Sequence, residues 1–110
     1  MEYDIEIDVT STKELIDSDE QVLLIDCRKP HEIAICRLEG AMEIPMRKTK
    51  KRLAELEPFK DQRIVVYGHL GGRSLQVAKL LRKHGFTTAQ NMTGGIDKWS
   101  LEVDPSVARY

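Results

Sequence analysis

The sequence predicts an α/β fold, with a mostly parallel central sheet of about five strands and helices on both faces. Strand-like and helix-like segments alternate along the chain, which is typical of parallel strands joined by helices. Two strand candidates, residues 21–26 and 63–67, are almost continuously apolar, as expected for strands that are buried on both faces. The length of 110 residues suits a single domain with one hydrophobic core, spanning residues 1–110.

The first half of the chain supplies three of these elements. Residues 3–9 alternate apolar and polar side chains and predict a half-buried strand. Residues 11–15 predict a short helix, because Ser11 is a good N-cap and Glu14 stands at capping-box spacing. After the buried strand at residues 21–26, Pro30 can open a further helix, since proline is tolerated in the first turn.

The middle of the chain predicts a short strand and a surface helix. Residues 41–45 form the strand, which ends in a proline. In residues 47–57, Leu53 and Leu56 lie three positions apart, as on a helix that buries one side.

The last elements follow the strand at residues 63–67. Residues 74–86 predict a helix that Gly85 ends as a C-cap glycine. Its inward side chains are expected to be Val77, Ala78, Leu80 and Leu81. Residues 88–92 predict a last strand, and residues 94–99 a turn into a final helix whose Trp99 packs in the core.

Composition excludes several classes of function. The net charge of -1, with 41% hydrophobic and 32% charged residues, predicts a soluble globular protein that does not bind nucleic acid through bulk charge. No apolar run approaches the roughly 20 residues of a membrane span, and the acidic amino terminus is unlike a leader peptide, so we expect a cytoplasmic protein. Cys27 and Cys36 are too few for a disulfide framework or a zinc site, and we predict two free thiols, no metal and no cofactor.

Ligands of open parallel sheets bind outside the carboxyl ends of the strands. Three charged or glycine-rich segments fall at such ends, at residues 26–28, 68–74 and 93–95. We therefore expect these three segments to meet and to form the candidate site.

The segment after the strand at residues 63–67 is suited to binding an anion. Gly68, Gly71 and Gly72 are expected to allow positive φ and inward N–H groups, and the first turn of the next helix adds further donors. Arg73 can present a planar fork of donors to a sulfur or phosphorus oxyanion. The alternative is a tight strand-to-helix turn with a solvated arginine.

Residues 23–46, 65–86 and 91–99 together resemble the rhodanese family of sulfurtransferase domains. The first of these stretches agrees with the family pattern at Asp26, Arg28, His31, Glu32, Gly40, Ala41, Ile44 and Pro45. It departs from the pattern where the family usually has Gly, His and Pro, at Cys36, Arg37 and Glu39. The resemblance implies the rhodanese fold and places the site loop at residues 68–73, followed by Ser74.

In an active member of the family, the first residue of this six-residue loop is a cysteine. It takes sulfur from a donor such as thiosulfate, holds it as a persulfide and passes it to a thiol or cyanide acceptor. The resemblance maps Gly68 onto this position, and His69, Leu70, Gly71, Gly72 and Arg73 onto the rest of the anion-binding loop. Asp26 and Arg28 are expected to support the site by pairing with each other or with neighbouring loops.

Three explanations of Gly68 stand side by side. The chain is an inactive member that binds a small sulfur-containing oxyanion, a sulfur-carrier protein or another thiol protein. Alternatively, it is an active sulfurtransferase altered at one codon base, because cysteine and glycine codons differ by one substitution. In the third explanation Cys27 is the nucleophile, although the expectation for this residue is a small buried side chain at a strand end.

The remaining candidates have less specific interpretations. His69 is expected to contact an anion or to be solvated, and Leu70 to be exposed at the loop tip. A basic run is expected to be a solvated helix face or a contact for an acidic carrier protein; its members are Arg47, Lys48, Lys50, Lys51 and Arg52. A phosphatase of a related fold is disfavoured, because its loop is one residue longer and also needs the cysteine.

Overall fold

The computed structural model describes residues 3–110. Five strands form one sheet: β1 (Glu6–Ile7), β2 (Val22–Asp26), β3 (Met42–Glu43), β4 (Arg63–Tyr67) and β5 (Ala89–Met92). Their spatial order is β1-β5-β4-β2-β3, and every pair of neighbours is parallel. The predicted fold class is confirmed, and the sheet is wholly parallel.

Five α-helices accompany the sheet: α1 (Val9–Asp17), α2 (Pro30–Ile35), α3 (Leu53–Leu56), α4 (Gly72–Lys83) and α5 (Gly95–Glu102). Side chains of α3 and α4, such as Leu56 and Leu81, pack with Ile25 and Ile64 in one apolar cluster. Side chains of α1 and α5, including Trp99, form a second cluster with Val65 and Tyr67. These two β4 residues alternate along the strand with those of the first cluster. The central strands are therefore covered on both faces, as their apolar sequences predict.

The amino-terminal elements differ from the prediction. Strand β1 is only Glu6–Ile7, and α1 begins at Val9, which is buried in the core. Asp8, rather than Ser11, is the N-cap, and its carboxylate accepts a hydrogen bond of 2.6 Å from the Ser11 backbone N–H. The strand expected at residues 3–9 is therefore too long, because Asp8 caps α1 and the chain turns into the helix at Val9.

The middle segment also differs from the prediction. The single helix expected at residues 47–57 is wrong, because short 3₁₀ turns at Met46–Lys48, Lys50–Arg52 and Glu57–Phe59 surround the four-residue α3. Leu56 is nonetheless fully buried, as its spacing from Leu53 suggested. Short 3₁₀ turns are common as connectors, and here they lie in the segment that joins β3 to β4.

Helix α4 begins two residues earlier than expected and ends at Lys83. Val77, Ala78 and Leu81 are buried as predicted, whereas Leu80 is only half-buried. Gly85 has a φ of 92° and follows the helix end, as expected of a C-cap glycine. In the described residues no helix combines the length and apolar character that crossing a bilayer requires.

The strand order brings the predicted site segments together. The neighbours β5, β4 and β2 end at the same edge, and Asp26 is paired in register with Tyr67. The N–H of Cys27 donates to the Tyr67 carbonyl at 3.1 Å. From the α5 side, the N–H of Ile96 donates to the Gly68 carbonyl at 3.0 Å and that of Asp97 to the His69 carbonyl at 3.1 Å.

Gly95 makes this junction possible, which gives a stability test. Its φ is 61°, and a Cβ at this position would overlap the carbonyl oxygen of His69. We expect Gly95→Ala to lower the free energy of unfolding by roughly 2 to 3 kcal/mol, because both backbone strain and steric overlap oppose it. The measurement is urea unfolding followed by circular dichroism.

Gly72→Ala is the matched control, because a Cβ at Gly72 would enter open space. This variant should stay within about 0.5 kcal/mol of the unaltered chain. Equal stabilities of the two variants would contradict the close approach of the two loops.

Candidate functional site

Gly68 lies at the centre of the predicted site, immediately after β4, and is buried. Its φ is not positive, and an added Cβ would stand 3.6 Å from Ser74 Oγ, 3.7 Å from Ser74 N and 3.7 Å from Cys27 Sγ. These are ordinary van der Waals distances. The backbone therefore accepts a side chain here, directed at the first turn of α4 and at the Cys27 sulfur.

The rest of the loop keeps its donors free. Only Gly71, with a φ of 108°, has the left-handed conformation; the positive φ expected of Gly68 and Gly72 is wrong. Among the residues that the structure describes, no protein acceptor takes the N–H groups of residues 69–74. The left-handed turn and the first turn of a twelve-residue helix thus leave a set of backbone donors beside Gly68.

Ser74 is fixed below the loop. Its hydroxyl donates to Asn91 Oδ1 at 2.5 Å, and the Asn91 amide donates in turn to Glu6 Oε1 at 2.8 Å. Both Ser74 and Asn91 are buried. The start of α4 is therefore tied to β5 and β1, which holds its N–H groups in place.

Asp26 and Arg28 form a fully buried ion pair, as expected. Arg28 Nη2 lies 2.7 Å from Asp26 Oδ2, and Arg28 Nε donates to Asp26 Oδ1 at 3.0 Å. The other guanidinium N–H groups donate to the carbonyls of Cys36 at 2.6 Å and Glu32 at 3.3 Å. Burial alone would lower the pKa of Arg28, but the hydrogen bonds with Asp26 outweigh it and raise the pKa, so the group stays charged.

Arg73 is held by a carboxylate rather than solvated. Its Nη1 and Nη2 each lie 2.7 Å from one oxygen of Glu32, in a bidentate pair. The hydrogen bonds from Arg73 lower the pKa of Glu32 to about 2 despite the opposing effect of its burial. The Arg73 guanidinium, which the sequence predicts to bind an anion, is thus already paired with Glu32.

Tyr110 reaches the same network and was not predicted as a site residue. Its hydroxyl donates to Glu32 Oε1 at 3.0 Å and accepts from Arg28 Nη1 at 3.1 Å. Its ring stacks on His69, with centroids 4.0 Å apart and planes 11° from parallel. His69 is therefore stacked rather than simply solvated, and no local signal in the sequence could have revealed a contact between positions 41 residues apart.

The two cysteines lie in different surroundings, and both are free thiols. Cys27 is 1% exposed, and burial raises the pKa of its thiol to about 12 although Arg73 acts in the opposite direction. Cys36 lies against Arg28, which donates to its carbonyl at 2.6 Å and to its sulfur at 3.8 Å. Leu70, at the loop tip, is 64% exposed.

The structure thus brings residues 26–28 and the loop of residues 68–74 together with the start of α5. In the described part of the chain, no three His, Cys, Asp or Glu side chains converge as metal ligands would. The arrangement offers backbone N–H groups, one paired arginine and a buried thiol. The backbone N–H groups of the loop thus have no protein acceptor among the described residues, and the raised pKa of Cys27 keeps its thiol protonated.

The family described as "Rhodanese-like domain" matches residues 8–102. A sulfurtransferase of Allochromatium vinosum is 36% identical over 103 residues, with 94% of each chain covered. The chloroplastic rhodanese-like/PpiC domain-containing protein 12 of Arabidopsis thaliana is 40% identical over 95 residues, covering 83% of this chain, which thereby spans only 31% of the plant protein.

A solved structure of similar size agrees with the fold. It is SSP1007 of Staphylococcus saprophyticus, which is 30% identical in sequence and has a TM-score of 0.80. The match covers 99% of this chain and 100% of that one.

The Glu32–Arg73 pair makes a pH prediction. A carboxylate whose folded pKa is lowered stabilises the fold fully above its unfolded pKa, near 4.5, and loses this contribution as the pH falls toward 2. Glu32→Gln should therefore lower the free energy of unfolding by up to about 3 kcal/mol at pH 6, and by progressively less between pH 5 and pH 3. Urea unfolding at each pH gives the difference between the two chains.

Glu55→Gln is the matched control, because Glu55 also pairs with an arginine, Arg52, but on the surface. Its effect on the free energy of unfolding should be much smaller and should change little with pH, because water and salt screen an exposed ion pair. A difference between Glu32→Gln and the unaltered chain that did not change with pH would contradict the lowered pKa of Glu32.

Proposed function

Since the chain belongs to the rhodanese-like domain family, we propose that it is an anion- or partner-binding member that does not itself catalyse sulfur transfer. One feature carries the proposal: position 68, which the resemblance maps onto the first residue of the family's loop, is a glycine. The donors that would stabilise a reacting anion are retained, and the sulfur that would react is missing.

The proposed ligand is a small sulfur-containing oxyanion, or the same kind of group on a sulfur-carrier or thiol protein. Unpartnered N–H groups at the start of a helix favour negative charge, through both hydrogen bonds and the helix dipole. Residues 69–74 provide these groups at the carboxyl edge of the sheet. The exposed Leu70 at the loop tip supplies an apolar contact for a protein that presents the anion.

Arg73 has a modest share in this binding. Because its two terminal nitrogens already contact Glu32, an incoming anion meets a neutralised pair rather than a free guanidinium. The oxyanion is therefore bound mainly by backbone donors, and we expect weak affinity with little discrimination among tetrahedral anions of similar size.

Cys27 does not replace the missing nucleophile in this proposal. A thiol with a pKa of about 12 is ionised in roughly one molecule in 10⁵ at pH 7, and only the thiolate attacks sulfur. The residue is also only 1% exposed, which leaves a sulfur donor little access to its thiol. Its position near Gly68 supports a packing role.

An active sulfurtransferase altered at position 68 is the second candidate function, and the space around Gly68 favours it. A cysteine Cβ would meet only ordinary contacts, beside the N–H of Ser74. A thiolate there would attack the outer sulfur of thiosulfate, and sulfite would leave with the electron pair of the broken S–S bond. Cyanide would then take the outer sulfur as thiocyanate and regenerate the thiolate.

The test is thiocyanate formation from thiosulfate and cyanide. We expect no turnover above buffer for the chain with Gly68, and at least about 100-fold more for Gly68→Cys, because the loop donors can stabilise the new thiolate. Gly68→Ser is the matched control: it adds a side chain of similar size without sulfur and should stay inactive.

Turnover by the unaltered chain that disappeared in Cys27→Ser would contradict the proposal and support Cys27 as the nucleophile. An inactive but folded Gly68→Cys would show that more than the sulfur is missing. Activity of Gly68→Cys that persisted after Cys27→Ser would confirm that position 68 alone supplies the reacting atom.

A further inference from the structure

A second concave feature adjoins the loop. It is a cavity of about 310 Å³, which we call the basic pocket. Its lining includes the buried Cys27 and the apolar side chains of Pro30, Pro45 and Met46. The basic pocket therefore has apolar walls and borders Cys27, whose sulfur would lie 3.7 Å from a Cβ at position 68.

The charged side chains of the basic pocket all carry one sign. They are Lys29, Arg47, Lys48 and Arg73, and no aspartate or glutamate is among the lining residues. The whole chain is close to neutral, with 17 Lys and Arg against 18 Asp and Glu. The basic lining is thus a local arrangement and not a consequence of bulk charge.

Three of these cations are also free of partners. Within the described residues, no carboxylate lies within 4.0 Å of the charged nitrogens of Lys29, Arg47 or Lys48, whereas Arg37 and Arg52 near the same sheet edge are each paired with a glutamate. Cations grouped around a cavity repel one another, and an anion relieves that repulsion. The arrangement is therefore better satisfied with a ligand than without one.

The backbone explains how the cations converge. Arg47 and Lys48 lie on the 3₁₀ turn Met46–Lys48, which replaces the helix expected there. Lys50 and Lys51 lie on the next turn and do not line the cavity. Only part of the basic run is thus directed to the site, where it joins Lys29 from the start of α2.

The size of the basic pocket limits its ligand. A water molecule occupies about 30 Å³ in the liquid, so the volume equals that of roughly ten waters. Thiosulfate or sulfate, with five non-hydrogen atoms, would leave most of this volume unfilled. A molecule of about ten to fifteen non-hydrogen atoms fills it.

We propose that the basic pocket binds a small organic anion with at least two carboxylate, sulfonate or phosphate groups on a short carbon body. The acidic groups face the cationic rim, and the carbon body lies against Pro45 and Met46. The inference extends the proposed function, because Arg73 and Cys27 border both sites. It does not require the loop to bind anything, since Lys29, Arg47 and Lys48 come from other segments.

The probe is citrate, which has thirteen non-hydrogen atoms and three carboxylates. Titration at constant ionic strength, followed by calorimetry and by amide resonances in NMR spectra, should show saturable binding. Perturbed amides should include those of residues 46–48, which follow Pro45. Sulfate at the same ionic strength should bind at least about tenfold more weakly, because it cannot reach several cations at once.

A charge-matched pair of variants tests the assignment. Arg47→Gln/Lys48→Gln should weaken citrate binding about tenfold or more, whereas Lys50→Gln/Lys51→Gln, with the same change in net charge, should weaken it less than about twofold. Lys29→Gln, on a different segment, provides a second test if the first variant fails to fold. Binding to the loop is read separately, from thiosulfate titration of residues 69–74.

Three outcomes would overturn the basic pocket as a site. They are no saturable citrate binding at about 10 mM, equal weakening by the two double variants, and sulfate binding as tight as that of citrate. In each case the loop could still bind thiosulfate, so failure of this inference is distinguishable from failure of the proposed function.

Discussion

The edge of the sheet where the site lies is held together by a guanidinium and a carboxylate, both of them inaccessible to water. Arg28 and Asp26 are both 0% exposed, and removing two charges from water is costly unless every donor finds an acceptor. Arg28 meets this condition by contacting Asp26, the carbonyls of Glu32 and Cys36, and the Tyr110 hydroxyl. The end of β2, helix α2 and the last residue of the chain are thereby fixed relative to one another.

The same ion pair also keeps the site loop ordered. Tyr110, placed by Arg28, stacks on His69 at one end of the loop and bonds to Glu32, which holds Arg73 at the other end. From below, Ser74 is tied to Asn91, and the carbonyls of Gly68 and His69 accept from α5. Side chains and carbonyls are thus used to fix the loop, and its N–H groups are left for a ligand. In the function we propose, binding and sulfur chemistry are separable, since backbone atoms would supply the first and a single side chain the second.

The elements set by local patterns could be predicted from the sequence. The apolar runs of β2 and β4 and the proline at the start of α2 agree with the structure, and the loop between β4 and α4 lies where the resemblance placed it. Long-range contacts could not be predicted in this way. The stacking of Tyr110 on His69 and the cationic rim formed by Lys29, Arg47 and Lys48 depend on where distant segments meet. The helix expected at residues 47–57 failed because leucine spacing alone does not distinguish a helix from successive 3₁₀ turns.

The central claim is that the loop still binds an oxyanion although residue 68 offers no sulfur. Titration of the unaltered chain with thiosulfate, followed by its backbone amide resonances in NMR spectra, tests this claim most directly. We expect saturable shifts centred on the amides of residues 69–74, where unpartnered N–H groups lie. Absence of shifts in these amides at thiosulfate concentrations of about 50 mM would contradict it, because a loop with free, ordered donors should be saturated by then.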